Sequence, residues 1–167
     1  MKTFLSVTSL LLLALLVAAC GTSLNVRTNE QGNAVVELGL PESVVNTILR
    51  DSVITDNTDD NLLTEISSVD MKPGLITVVG SRTLPDGTKA PGSFDLSLTA
   101  ENGALRASVS NVEIQGYTFT DEQLARLNER IASSLAQSAS ENANSYIDSV
   151  NISDDSLKFV VTIQNQQ

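Results

Sequence analysis

The sequence predicts an α+β fold in which a strongly curved antiparallel sheet rolls around one long C-terminal helix, with a second, short helix near the N-terminus. Three observations predict it. Apolar and polar residues alternate with a period of two through much of the stretch from Leu62 to Ile114, punctuated by turn-forming residues. A capped amphipathic pattern follows from Thr120 to about Ala143. Between the two, the alternation slips by one residue, which calls for a bulge and a bend in the last strand before the helix.

The chain divides at Cys20. Lys2 places a positive charge near the N-terminus, an unbroken apolar run extends from Leu10 to Ala19, and small residues close it, the order of a secretory signal over residues 1–19. A span would need roughly 20 apolar residues, and here Ser6, Thr8 and Ser9 interrupt the run while polar chain follows it. Residues 20–23 then read as a tether and 24–167 as a single domain. Cys20 is the one cysteine in the chain, so no intramolecular disulfide is possible.

The segment Val17-Ala18-Ala19-Cys20 resembles a bacterial lipobox. That resemblance implies diacylglycerol on the Cys20 thiol, cleavage before it, and acyl chains such as palmitate as the membrane attachment. It implies a place in the cell envelope, on the extracytoplasmic side of a bacterial membrane. Gly21 follows Cys20 where an inner-membrane retention signal has aspartate, so an outer membrane is open as the destination where the host has one.

Loss of residues 1–19 removes Lys2 and no carboxylate, leaving 148 residues with 9 basic and 20 acidic side chains, a formal charge of −11. Such a chain repels nucleic acid and anionic surfaces at long range, so its membrane attachment comes from acyl chains and not from a basic patch. There is no histidine, which excludes Ser-His-Asp and Cys-His catalysis as well as histidine-ligated zinc or haem. No cofactor is expected.

Along the domain, Leu24–Thr28 and Asn33–Leu38 form a hairpin around Asn29-Glu30-Gln31-Gly32. Pro41 and Glu42 suit a helix start, and Val44, Val45, Ile48 and Leu49 repeat at helical spacing to about Arg50 or Ser52. Leu62–Met71 and Leu75–Leu84 are strands joined at Lys72-Pro73-Gly74, and Pro85-Asp86-Gly87 turns the chain again. Phe94, Leu96, Leu98 and Ala100 then alternate with Ser93, Asp95, Ser97 and Thr99, predicting one buried and one wet face.

Asn102-Gly103 makes the next hairpin, and Leu105, Ala107 and Val109 point inward. The phase then shifts to Val112 and Ile114, placing a bulge at Ser110-Asn111. Thr120 and Gln123 form a capping box, with Phe119 placed to staple on Leu124. Leu124, Leu127, Ile131 and Leu135 make one stripe, and Glu122, Arg126 and Arg130 line the opposite face at the spacing of exposed ion pairs. Ser145–Ile152 and Leu157–Ile163 close the chain as a hairpin.

The hairpins SFDLSLTAENGALRASVSNVEIQG, the junction Gly116-Tyr117-Thr118-Phe119 and the helix TDEQLARLNERIASSL resemble the bacterial lipid-binding families with a tubular, TULIP-like fold, over Met71–Ile163. That resemblance implies a groove between helix and sheet for a phospholipid or fatty-acyl ligand. Its lining would be Leu124, Leu127, Ile131 and Leu135 on the helix, and Phe94, Leu96, Leu98, Leu105, Val109, Val112 and Ile114 on the sheet. An apolar stripe over an apolar sheet face is equally the pattern of a filled core, and a lipoprotein with a filled core would act through protein contacts. Asp56, Asp59, Asp60, Glu65 and Asp70 are the carboxylates an alternative hydrolase would draw on. The run DNTDDN departs from the EF-hand spacing, so no metal site is expected.

Overall fold

A computed structural model describes residues 21–55, 62–140 and 144–164. The elements in chain order are β1 (Ser23–Thr28), β2 (Ala34–Pro41), α1 (Glu42–Thr55), β3 (Glu65–Lys72), β4 (Leu75–Thr83), β5 (Lys89–Glu101), β6 (Ala104–Ile114), α2 (Asp121–Ser140), β7 (Ser145–Ile152) and β8 (Ser156–Ile163). The strands form two four-stranded antiparallel sheets, one in the order β1-β2-β8-β7 and the other β3-β4-β5-β6.

This overturns the single rolled sheet with a long helix at its centre. The first and last hairpins leave the meander and pair with each other through β2 and β8, in register from Ala34 opposite Ile163 to Pro41 opposite Ser156. The alternation of a strand says which face it buries, but not which distant strand it joins. Nor is α2 enclosed. It lies against β6, an edge strand, and after Leu135 its sequence carries Ser, Ala and Gln where an enclosed helix would need large apolar groups.

Local signals place the turns and the bulge. Asn29 Oδ1 accepts hydrogen bonds from the Gln31 and Asn33 N–H groups at 3.1 and 2.9 Å, closing the first hairpin. In β6, Asn111 takes a left-handed φ of 49°, and the β5–β6 register jumps there, with Ser93 opposite Glu113 but Asp95 opposite Ser110. Val109 and Ile114 are consequently both buried despite their opposite parity. A second bulge, at Ser67 in β3, bends that strand over Gly80 of β4.

The core lies over the meander. Ile76 and Val78 of β4 have no solvent exposure, and Leu63, Ile66, Val69, Met71 and Ala90 surround them, with Val45 of α1 and Ile152 and Leu157 of the last hairpin joining the same cluster. On β5 the expected clean alternation is blurred: residues 92–98 are all half-buried, because Asp95 on the supposedly wet face is engaged by Thr77 and Asn111, both at 2.8 Å.

Both helices serve the edges of the meander. On β3, the Arg50 guanidinium of α1 donates to the Ser67 carbonyl, and the Met71 N–H donates to Glu42 Oε2 at 3.4 Å. On β6, the Asn128 carboxamide acts as a missing strand: the Val109 N–H donates to Asn128 Oδ1 at 2.7 Å and Asn128 Nδ2 donates to the Val109 carbonyl at 3.0 Å. Asn128→Ala orphans both half-buried peptide groups at an otherwise open edge. Its expected cost is about 1–3 kcal/mol in urea unfolding, with Asn128→Asp, which keeps the acceptor alone, falling between.

Candidate functional site beside the second helix

The junction between β6 and α2 is a short, tightly determined piece of chain. Gly116 at φ 74° lets the backbone reverse so that the Tyr117 N–H donates to the Ile114 carbonyl at 3.0 Å, and the Gln115 N–H reaches the Pro91 carbonyl at 2.9 Å. Helix α2 then opens on the expected capping box: the Gln123 N–H donates to Thr120 Oγ1 at 3.2 Å, and the Thr120 N–H donates to Gln123 Oε1 at 2.9 Å.

This turn presents two aromatic rings side by side. Tyr117 and Phe119 have centroids 4.8 Å apart and planes tilted by 59°. The Arg82 guanidinium, arriving from the end of β4, stands 5.1 Å from the Tyr117 ring centroid, within cation–π range. Gln123 Nε2 donates to the Tyr117 hydroxyl at 3.4 Å, which ties the ring to the helix.

The rings separate two adjoining depressions. One, of about 720 Å³, runs along the exposed flank of α2 and is bordered by Arg82, Arg126 and Arg130, with Leu127 and the two rings as its apolar wall. Three of the ten basic side chains of an acidic protein thus meet at one groove. Glu129 also borders it, and Arg126 is bridged to Glu122 at 3.3 Å with both groups largely in solvent. The second depression, of about 700 Å³, is shallow and mostly aliphatic, with Val79, Pro91, Val112 and Ile114 on its floor and Glu113 at its side.

The residues expected to line a groove between helix and sheet fall mostly in or against the core. Val109 and Ile114 are buried, while Phe94, Leu96, Leu98, Val112, Leu124, Leu127 and Ile131 are half-buried and packed on the core. Leu105 is half-buried as well, and Cys20 and the Leu135 side chain lie outside the described residues. Of these groups only Leu127 borders the cationic groove, and Val112 and Ile114 border the aliphatic depression. Arg82 has no part in the expectation from sequence, which places Tyr117 only in the junction before the helix and Arg126 and Arg130 only on an exposed face. The signal available was slight: two arginines four residues apart on α2 and an aromatic pair just before its cap.

Of the carboxylates set out for a hydrolase, the two among the described residues, Glu65 and Asp70, do not border the groove. Glu65 is bridged to Lys89 at 2.5 Å and Asp70 to Lys72 at 3.0 Å, all exposed, whereas Asp56, Asp59 and Asp60 lie outside the described residues together with the DNTDDN run. The hydrogen bond and then the charge of Lys89 hold the Glu65 carboxyl below its usual range. Asp86 is held low by the backbone and hydroxyl of Thr88, and Asp155 by the hydroxyls of Ser153 and Ser156. All three belong to strand ends and turns away from the groove. Among the described residues no cluster of three metal-ligating side chains occurs, and no helix is long and apolar enough to cross a membrane.

What the site can do follows from its lining. Guanidiniums offer planar, charge-assisted hydrogen bonds to an oxyanion, and the aromatic and aliphatic surface beside them accepts hydrocarbon. No family model, no curated protein and no solved structure matches this chain.

Proposed function

We propose that this protein is a membrane-anchored extracytoplasmic lipoprotein that binds an amphiphile on its surface without chemically altering it. The observation that carries this is the adjacency of a cationic groove and an aliphatic depression on either side of Tyr117 and Phe119. An amphiphile has the same two parts in the same order. The lipobox-like run ending at Cys20 supplies the anchor, which keeps the site beside a bilayer where such ligands are concentrated.

Native mass spectrometry of the protein released gently from membranes tests this. A retained amphiphile is expected, and Tyr117→Ala with Phe119→Ala is expected to lose it while the thermal midpoint stays within a few degrees. Absence of any retained amphiphile, together with no binding of a fluorescent fatty acid or phospholipid by the delipidated protein, would end the proposal.

One observation favours a second role through protein contacts. Among the described residues strand β1 is paired on one side only, is exposed along its whole length, and leaves Leu24 and Val26 53% and 60% accessible. Cross-linking in intact cells that captures one dominant protein partner at β1, with no bound amphiphile, would favour that role instead.

A further inference from the structure

We infer that the groove beside α2 selects an anionic head group, a phosphate or carboxylate, bound among Arg82, Arg126 and Arg130, with the attached chain lying across Tyr117 and Phe119. This rests on the amphiphile-binding proposal and specifies the head group that the proposal leaves open.

Charge supports it first. The chain carries a formal charge of −10, and in such a molecule a groove bordered by three arginines, against Glu129 in the lining and Glu122 bridged to Arg126, is a local reversal of sign. Long-range repulsion keeps anionic surfaces away, while a small anion that reaches the groove meets a net attraction at contact distance. The arginines also come from separate elements, one at the end of β4 and two on neighbouring turns of α2, so the lining is not a helix face alone.

Preorganisation supports it second. Arg82 stands over Tyr117, whose hydroxyl is held in turn by Gln123, so its guanidinium sits at the groove before any ligand arrives. Less side-chain freedom is then lost on binding. The planar fork of each guanidinium matches the oxygens of a phosphate or carboxylate and has nothing comparable to offer a sugar hydroxyl or a quaternary ammonium. The aliphatic floor of Val79, Val112 and Ile114 begins on the far side of the same rings, which sets the direction of the chain.

The protein provides its own reporter. It contains no tryptophan and two tyrosines, Tyr117 in the groove and Tyr146, whose hydroxyl accepts from Gln164 Nε2 at 2.8 Å on the other sheet. In the full chain carrying Tyr146→Phe, held by its anchor in phosphatidylcholine vesicles, tyrosine emission therefore reports on the groove. Titration with octyl phosphate, octylphosphocholine and octyl glucoside, which share one chain, and with inorganic phosphate separates head from tail.

Octyl phosphate is expected to bind about tenfold more tightly than octyl glucoside, as charge-assisted contacts add to a common apolar term. Arg82→Gln with Arg130→Gln should erase that preference and leave the octyl glucoside affinity in place. Glu129→Gln, which removes the one competing carboxylate of the lining, should strengthen octyl phosphate binding about threefold, a gain that misfolding would not produce. Equal affinities for octyl phosphate and octyl glucoside overturn the head-group inference and leave amphiphile binding standing. Binding by none of the four overturns both. Inorganic phosphate binding as tightly as octyl phosphate supports the anion site and overturns the amphiphile as its occupant.

Discussion

Replacing Gly80 with alanine, the smallest change that adds a Cβ, is expected to destabilise the domain by about 3 kcal/mol or more. The added atom would stand 2.0 Å from the Glu65 carbonyl oxygen and 3.0 Å from Ile66 Cα. Both obstacles are backbone, so no rotamer change relieves them. Strand β3 would have to lift from β4 at the point where Ile66 faces Gly80 and Ser67 bulges. That bulge turns Ile66 and Val69 into the core beside Ile76 and Val78, so separation there opens the best-packed part of the molecule. For a domain of this size the loss corresponds to a fall in thermal midpoint of about 6–12 °C, measured by circular dichroism. Val79→Ala on the same strand, where the side chain is 38% accessible, is the control and should cost under about 1 kcal/mol. A Gly80→Ala protein that melts with the native one would mean that β3 does not cross β4 this closely.

Gly80 also shows how far the amino-acid sequence could be read. A glycine inside a strand pattern signals a bulge or a close backbone approach, but nothing near it in the chain says which strand approaches. The same division runs through the molecule. Signals within a few residues came through: Thr120 and Gln123 cap α2 reciprocally, and the slip from Val109 to Val112 is a bulge with Asn111 in a left-handed conformation. Pairings across the chain did not, and the partnership of β2 with β8 turned an expected rolled sheet into two. Asn128 is the instructive case. On a helical wheel it flanks an apolar stripe and looks like a tolerated polar residue, yet its carboxamide completes the β6 edge. The groove was illegible for the same reason. Arg126 and Arg130 read as a solvated face until the end of β4 brings Arg82 across from them.

Cys20→Ser is expected to abolish acylation and, once the signal is exchanged for a conventionally cleaved one, membrane attachment. Alkyne-labelled fatty acid should mark the native protein and leave the variant unmarked, and the native mature mass should lack residues 1–19. Since the hydroxyl cannot replace the thiol in the lipobox reaction, cleavage should fail too and an unacylated precursor accumulate. Exchanging residues 1–19 for a conventional cleavable signal in the Cys20→Ser chain separates export from anchoring: the domain should then appear wholly in the soluble fraction. The size of the effect follows from the apolar term, about 0.8 kcal/mol for each buried methylene, so two or three acyl chains make attachment effectively permanent where one is marginal. The formal charge of −11 over residues 20–167 gives anionic bilayers no long-range attraction for the domain. The fold should survive, since the first strand begins at Ser23 and the core cluster draws on no residue before Leu40. Ligand affinity in solution should survive with it, and what is lost is proximity to the bilayer. An unanchored protein with unchanged octyl phosphate affinity but no amphiphile retained from cells would show that the anchor works by local concentration. Membrane retention of the Cys20→Ser domain after the signal exchange would instead place the attachment in the domain itself, with the exposed Leu24 and Val26 of β1 as the first residues to replace.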